Sequence, residues 1–597
     1  MFRRSNWLAG IFLLTALPAL AGEIIVRVDS TDQEVTIDAP AGVANGNCTL
    51  GEAILAANAR SAVDGCDAAG SPLDRVVIRL QNSRYVLDQG AVVLVGTPPN
   101  ASISGLPLIQ ADMTIDGDGA TITRDTNPGQ PTLTLLEFFS EDLRLTLRNL
   151  SLEGGRRGGA QPFSMINGSA DSFTMENVVL HNFTGGPVDV TVGSDATLIG
   201  VQALGDSTGR ALGVDISERL DTSPTVDIFD STFSGLAFSG LSINLRNGGA
   251  GSAIRVRNSR FINNFGGNGT GLNIEANPDG VSVEVEGCTF ADNVAGGDGG
   301  ALQIALRDQT VGATAIVSLQ NNVFEGNRAI DFGGAAYILG EQTPLRLTID
   351  GDRYSRSFAR EGGAMYLEAN LAEAALLSNL TFDSNVATNA SGIWNELTPA
   401  VGDDTSLRIT RSAFINNFSY NDAAAFGLNN TGLTILDNST VNGQVPTDDV
   451  FARFNPGASL TLEAVTLDNN VGREIFDNFG PGGLTLRNVV STANPDGTIC
   501  GGDMADVVDD GGNHLLDDTC TGFVGTDPML GSLELNGGTT LNQLPQAGSP
   551  LIDAGTAAQV EPNVDQRGLP RVINGAADIG AVETGAIQVF ASSFESS

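Results

Sequence analysis

The chain has 597 residues, with 70 acidic side chains against 31 basic ones, all of them Arg, and a formal net charge of -39. A surface this acidic repels nucleic acid and anionic membranes, so it excludes the ordinary ways of binding either. Length alone would divide a globular chain into several domains, but an internal repeat overrides that expectation.

Residues 1–21 read as a secretory signal. Arg3 and Arg4 form a charged start, residues 8–20 are largely apolar, and Ala19-Leu20-Ala21 is a small-x-small cleavage site. Export, with cleavage after Ala21, is the expectation. No later stretch is long and apolar enough for a membrane span. Residues 23–38 read as an edge strand. Thr49-Leu50-Gly51-Glu52 then fits a capping box, and Leu50, Ala53, Ile54 and Ala57 make an apolar stripe at helical spacing. This helix is read as a structural cap over an open strand edge. Cys48 and Cys66 bracket one short loop, and Cys500 and Cys520 bracket another. In an oxidising compartment these are two local disulfides. Cys288 is left as a lone buried thiol.

The cap carries a resemblance. Cys48-Thr49-Leu50-Gly51-Glu52-Ala53-Ile54, then Ala56-Ala57-Asn58 and Asp64-Gly65-Cys66, resembles the CSLREA domain found near the N-terminus of bacterial secreted β-helix proteins. The likeness covers about residues 24–90. Gly51 stands where that family has Arg.

From Met113 onward one unit recurs, seen most plainly over residues 317–338. An inward strand residue precedes a bulky one by five positions: Leu147/Leu152, Ile228/Phe233, Val256/Phe261, Val285/Phe290, Leu319/Phe324, Ile349/Tyr354, Leu377/Phe382, Ile409/Phe414 and Leu462/Leu467. A Gly step follows nine or ten residues later, at Gly271, Gly300, Gly334, Gly363 and Gly392. A fixed register about every 30 residues, with no helical period, marks a stacked β-solenoid. The expected fold is all-β: a single-stranded parallel β-helix, right-handed by the crossover rule, with an N-terminal capping helix and a C-terminal β-rich module. Phe should stack on Phe inside, and Asn can ladder on Asn at a turn. The FxxN and Gly-Gly-Ala elements (Phe290 to Asn293, with Gly299-Gly300-Ala301) resemble the repeats of polymorphic outer-membrane proteins.

Coils are expected to stop near Ser491. Beyond Cys500 the series Asp527-Pro528, Asn536-Gly537-Gly538-Thr539, Gly548-Ser549-Pro550, Ile552-Asp553-Ala554-Gly555, Asp565-Gln566-Arg567-Gly568 and Asp578-Ile579-Gly580 resembles the choice-of-anchor Q domain, which follows β-helices in secreted proteins and implies no catalysis. The expected divisions are 1–21 signal, 22–110 cap and first strands, 111–495 repeats, 496–583 C-terminal module and 584–597 tail. Phe590 and Phe594 in that tail suggest a sorting segment.

Three chemistries compete. A polygalacturonase-like site needs paired carboxylates, a His and a basic cluster. Only His181 and His514 exist, neither followed by Gly, there is no Lys, and no Asn-Thr-Asp or Asp-Asp sequence stands in register on adjacent repeat coils. A calcium-dependent lyase-like site needs several carboxylates and an Arg base. Asp116, Asp118, Asp292 and Asp298 offer oxygens, and Arg328, Arg356 and Arg360 lie on neighbouring coils; turn chemistry and solvated ion pairs are the preferred reading of these residues. Asp509-Asp510-Gly511-Gly512 reads as a turn, and neither Cys pair has zinc spacing. Lastly, Tyr337 and Tyr366 occupy equivalent places in successive coils. Facing outward they would make a two-ring step for stacking on sugar rings. Trp394 falls one residue out of that register and is read as turning inward.

The leading reading is therefore non-enzymatic: a secreted or surface-attached bacterial adhesin or ligand-binding scaffold, with glycan, extracellular matrix or a cell surface as partner. It needs no cofactor; calcium is the one cation its carboxylates suggest. The alternatives are a carbohydrate-active enzyme, most nearly a calcium-dependent polysaccharide lyase, and a structural spacer.

Overall fold

The structure is a computed structural model. It describes residues 22–585 except 34–44, 72–73, 93–102, 128–132, 155–163, 206–210, 278, 308–312, 478–482, 502–506, 523, 557–562 and 574. The signal segment and the tail from 586 lie outside the described residues.

The molecule is a parallel β-helix of about 13 turns. A full turn has three main strands, for example Ser282–Glu286, Thr289–Ala291 and Leu302–Leu306, with the two-residue strand Val294–Ala295 between the last two. Each main strand pairs in parallel with its counterpart one turn later, in Ala315–Gln320, Val323–Glu325 and Ala336–Asp350. We call the three resulting ladders the first, second and third sheets. Residues alternate along each strand between the hollow and the surface, so each position becomes a column running the length of the rod. The second-sheet column runs Phe233, Phe261, Phe290, Phe324, Tyr354, Phe382, Phe414. Its rings are fully buried and stacked, with neighbouring centroids 4.6–5.2 Å apart. The strand spacing itself sets that distance. The expected Phe pile is therefore present.

The corners explain the Asn. The first and second sheets join through a single left-handed residue, Asn258, Asn321 or Asn379 in different turns. Asn tolerates this region better than other side-chain-bearing residues. Past the next corner, buried Asn side chains form a ladder: Asn264 Nδ2 donates to Asn293 Oδ1 at 3.0 Å, and Asn293 Nδ2 to Asn327 Oδ1 at 3.0 Å. Ser357 interrupts it, and Asn385, Asn417 and Gln444 resume it. A second internal ladder holds Cys288. Its N–H donates to Asn322 Oδ1, and burial pushes the thiol up to about 12. Cys288 is free and buried there, as read. The Gly step is steric: a Cβ on Gly334 would lie 2.1 Å from the carbonyl of Gly363.

A helix covers the N-terminal end. Helix Leu50–Ala59 carries the capping box, with Thr49 Oγ1 accepting from Glu52 N and Glu52 accepting from Thr49 N. Its apolar stripe is buried. The edge strand is Glu23–Arg27, paired with Arg75–Arg79; residues 34–38 of the expected strand lie outside the described residues. Both expected disulfides, Cys48–Cys66 and Cys500–Cys520, are formed.

Parallel pairing does not stop at Ser491. It runs on through Thr498–Cys500, Val507–Asp509 and His514–Leu515. The last turn was hidden because its strands are two or three residues long and a disulfide shapes it. The C-terminal module does not extend the rod but folds back along its side. Gln566 Nε2 donates to Ser412 O and its Oε1 accepts from Thr440 Oγ1. Gln543 Nε2 donates to Asp468 Oδ2, and Ala581 N to Thr466 Oγ1. Asp565 is fully buried and collects the N–H groups of Arg567, Leu569 and Glu583. Within the Asp-Gln-Arg-Gly series, Gln566 thus docks on the rod while Asp565 braces the module's own turn.

Candidate functional site

The lyase-like set does not come together. Asp116 holds Arg148 at 3.0 Å and Asn149 at 3.2 Å; burial raises its carboxyl, but these donors win and hold it below the usual range. Asp292 is a left-handed corner residue, whereas Asp298 belongs to the Gly step on another edge. Arg328 lies over the Phe358 ring, Arg356 pairs with Glu325, and Arg360 pairs with Asp331. Asp509 accepts from Gly511 N and Asn513, closing a turn. His514 bonds the Thr526 carbonyl, far from His181 in the chain.

Tyr337 and Tyr366 do point outward from the third sheet, side by side in register. They are 5% and 4% exposed. Phe332 packs on both rings, and Trp394 and Phe454 extend the cluster. The two-ring step is therefore covered on its broad face. Trp394 is a correction: it pairs with Tyr366 and faces outward with it, not inward. The turn before it is as long as the one before Tyr366, but its glycine falls one place later in the register: Ile393 directly follows Gly392, whereas Met365 opposite it lies two beyond Gly363. Counting from glycine misplaces the ring by that residue.

These rings are one end of a longer line. The outward column of the third sheet reads Glu137, Asn167, Asp189, Asp215, Ser242, Asn273, Gln303, Tyr337, Tyr366, Trp394. Midway it forms the floor of a groove of about 540 Å³, lined by Asp215, Ser242, Asn273 and Glu275, with Phe238 on the wall. Phe238 is 65% exposed and sits at φ 71°. A bulky residue in that region is strained by roughly 1–3 kcal/mol, and such strain clusters where ligands are gripped. Packing does not explain a ring that faces water. Asn244 Oδ1 and Asn273 Oδ1 beside it are buried with no hydrogen-bond donor.

Asp189 and Asp215 face solvent from adjacent turns of this column. Partial desolvation by the groove, then the like charge of Asp189, pushes the Asp215 carboxyl up to about 6; a hydrogen bond with Ser242 opposes this. Desolvation raises Asp189 as well. Here, then, is an Asp pair in register on adjacent coils. Sequence reading missed it because the coils near Leu180 and Val201 lack the bulky inward residue that marks the others. The signal available was Val188-Asp189-Val190 against Val214-Asp215-Ile216, the same apolar-Asp-apolar triplet 26 residues apart.

Among the described residues, three carboxylate groups could hold a cation: Asp422, Asp448 and Asp449; Asp449, Glu474 and Asp477; and Asp553, Asp578 and Glu583. Only Asp553 and Asp578 belong to runs singled out from the sequence. No described helix is long and apolar enough to cross a membrane.

No family model matches the chain, and no curated protein does. Solved structures do. The Dettilon tailspike protein shares 13% identity over 64% of this chain and 62% of its own, with a TM-score of 0.27. Pectate lyase Pel9A shares 13% over 95% of this chain and 97% of its own, at 0.23. The catalytic unit of a GH87 α-1,3-glucanase from Streptomyces thermodiastaticus strain HF3-3 shares 14% over 76% and 66%, at 0.28. The chain thus spans just under two thirds of the tailspike and of the glucanase unit.

Proposed function

We propose that this is an exported glycan-binding β-helix protein whose third sheet holds a polysaccharide strand along the rod axis. The observation that carries this reading is Phe238, a strained, water-facing ring on the wall of a groove floored by hydrogen-bonding side chains. Sugar faces stack on such rings, and Asp, Ser and Asn oxygens and amides suit hydroxyl groups. Turns about 4.8 Å apart repeat at nearly the length of one sugar residue, so one column can contact successive rings. The carboxylates and the charge of -39 favour a neutral glycan over a polyuronate. The export signal over 1–21, the CSLREA-like cap, the choice-of-anchor Q-like module and a bacterial surface or matrix setting belong to this same proposal.

A glycan array with the full mature chain tests it. Phe238→Asn keeps a residue that tolerates the left-handed backbone, so it should fold normally yet lose binding by at least about tenfold. Unchanged binding by that variant, or no glycan bound by the wild type, would favour a spacer.

A second reading rests on Asp215 and Asp189. Two carboxylates on adjacent turns, one protonated to about pH 6, are the equipment for acid–base cleavage of a glycosidic bond. New reducing ends from any glycan bound on the array, lost in Asp215→Asn, would make the protein a hydrolase; their absence would leave a binding module.

A further inference from the structure

In the C-terminal coils the Gly step changes character. Where earlier turns carry Gly362-Gly363 or Ala390-Ser391, the next carry Ala423-Ala424, then Asp448-Asp449, then Arg473-Glu474. Five carboxylates from three successive turns meet there: Asp422, Asp448, Asp449, Glu474 and Asp477. Asp449 belongs to both groups of three whose oxygens lie within 4.8 Å of one another.

Among the described residues, Arg473 is the cation set against these five charges. Arg473 Nε meets Asp448 at 2.5 Å, and its other nitrogens lie 3.6–3.9 Å from Asp449, Glu474 and Asp477. Asp449 is the exception that matters. It is 1% exposed, and neither carboxylate oxygen accepts a hydrogen bond. Arg473 at 3.6 Å is too distant to donate one. Burying a carboxylate without donors is costly, and native chains avoid it unless something neutralises the charge. The guanidinium is 57% exposed, so it can swing out and leave the carboxylates to another cation.

We infer that this corner is a binding site for a hard divalent cation of the calcium class, held by Asp449 with Asp422, Asp448, Glu474 and Asp477. The donor set is oxygen only, without His or Cys, which selects calcium or magnesium over zinc and copper. Ligands gathered from three turns make an irregular cage, and calcium tolerates irregular coordination where magnesium demands an octahedron. A bound ion would tie three turns together just where Ala and charge replace the close-packed glycines. The inference stands on residues far in sequence from the groove and does not depend on glycan binding.

The test uses the full mature chain stripped with EDTA and dialysed into metal-free buffer, titrated with CaCl2 and with MgCl2 by calorimetry and by thermal unfolding. The wild type should bind Ca2+ saturably, more tightly than Mg2+, with Tm rising by about 2 °C or more at saturation. Asp449→Asn should lose the Ca2+ response and yet unfold at a higher temperature than the wild type in EDTA, because a buried carboxylate that no hydrogen bond reaches gives way to a neutral side chain. Asp477→Asn, a milder surface change, should weaken Ca2+ at least about tenfold. Asp553→Asn, in the separate C-terminal cluster, should leave the response intact. No saturable Ca2+ binding by the wild type, wild-type affinity in both Asp449→Asn and Asp477→Asn, or loss of the response in Asp553→Asn would each overturn the assignment.

Discussion

Single buried polar side chains set the local character of this rod, and Asp352 shows how. It lies inside the coil at 1% exposure, where Asn322 N and Nδ2 donate to Oδ1 and the Tyr354 hydroxyl donates to Oδ2. Burial nevertheless dominates and pushes its carboxyl up to about 7. The sign follows from linkage. The folded form holds a proton that the unfolded chain releases near pH 4. Stability from this group is therefore fully present in acid and is lost as pH climbs from about 4 to about 7. Asn at this position keeps the acceptor for Asn322 and carries no charge. We expect Asp352→Asn to raise Tm at pH 8, by a free energy of roughly 2–4 kcal/mol, and to change it little at pH 4.5. Thermal unfolding of both proteins at the two pH values checks this, and an equal shift at both would mean that the charge is not the cause.

At the scale of the turn, the Asn ladder does for the corner what the Phe pile does for the strand. Asn293 Oδ1 accepts from Asn264 N and Nδ2, and its Nδ2 donates to Phe261 O and Asn327 Oδ1. Asn293→Ala strands donors and acceptors on both neighbouring turns, at about 1–3 kcal/mol for each group left unsatisfied. In a stack of repeats the damage stays near its origin. Hydrogen exchange should therefore quicken in the turns around Phe261, Phe290 and Phe324 while Leu147 and Leu462 keep their protection; uniform loss along the rod would refute that locality. These inward features were legible in the sequence because every turn must fill the same hollow. The five-residue offset and the Phe-x-x-Asn spacing repeat for steric reasons. Outward residues carry no such constraint. Asp189 and Asp215 sit on turns without a bulky inward marker, Trp394 follows a turn whose glycine stands one place later in the register, and Asp448-Asp449 replaces a glycine pair whose absence looks like the end of a pattern. The fold could be read from what is packed, whereas the candidate sites lie where the repeat is broken.

Over the whole molecule, charge is the largest unbalanced quantity. Arg side chains are spent across turns, as in Arg255–Asp227 at 2.7 Å, Arg257–Glu284 at 2.7 Å, Arg346–Glu373 at 2.6 Å and Arg408–Asp437 at 2.8 Å. With 31 Arg against 70 acids, one-to-one pairing still leaves most carboxylates without a basic partner. Added salt acts on both populations in opposite directions. Exposed ion pairs contribute about 0–1 kcal/mol each, and screening weakens them. Repulsion among the excess carboxylates opposes the compact state along the entire rod, and screening relieves it. The Debye length falls from about 10 Å at 0.1 M to about 3 Å at 1 M, from roughly two turns to less than one, so repulsion between turns is the term that fades most. In EDTA, to keep divalent ions out, Tm should climb steadily with NaCl from 0.05 to 1 M. A fall over that range would mean that the cross-turn Arg pairs, not the excess acid, govern how firmly the coils hold together.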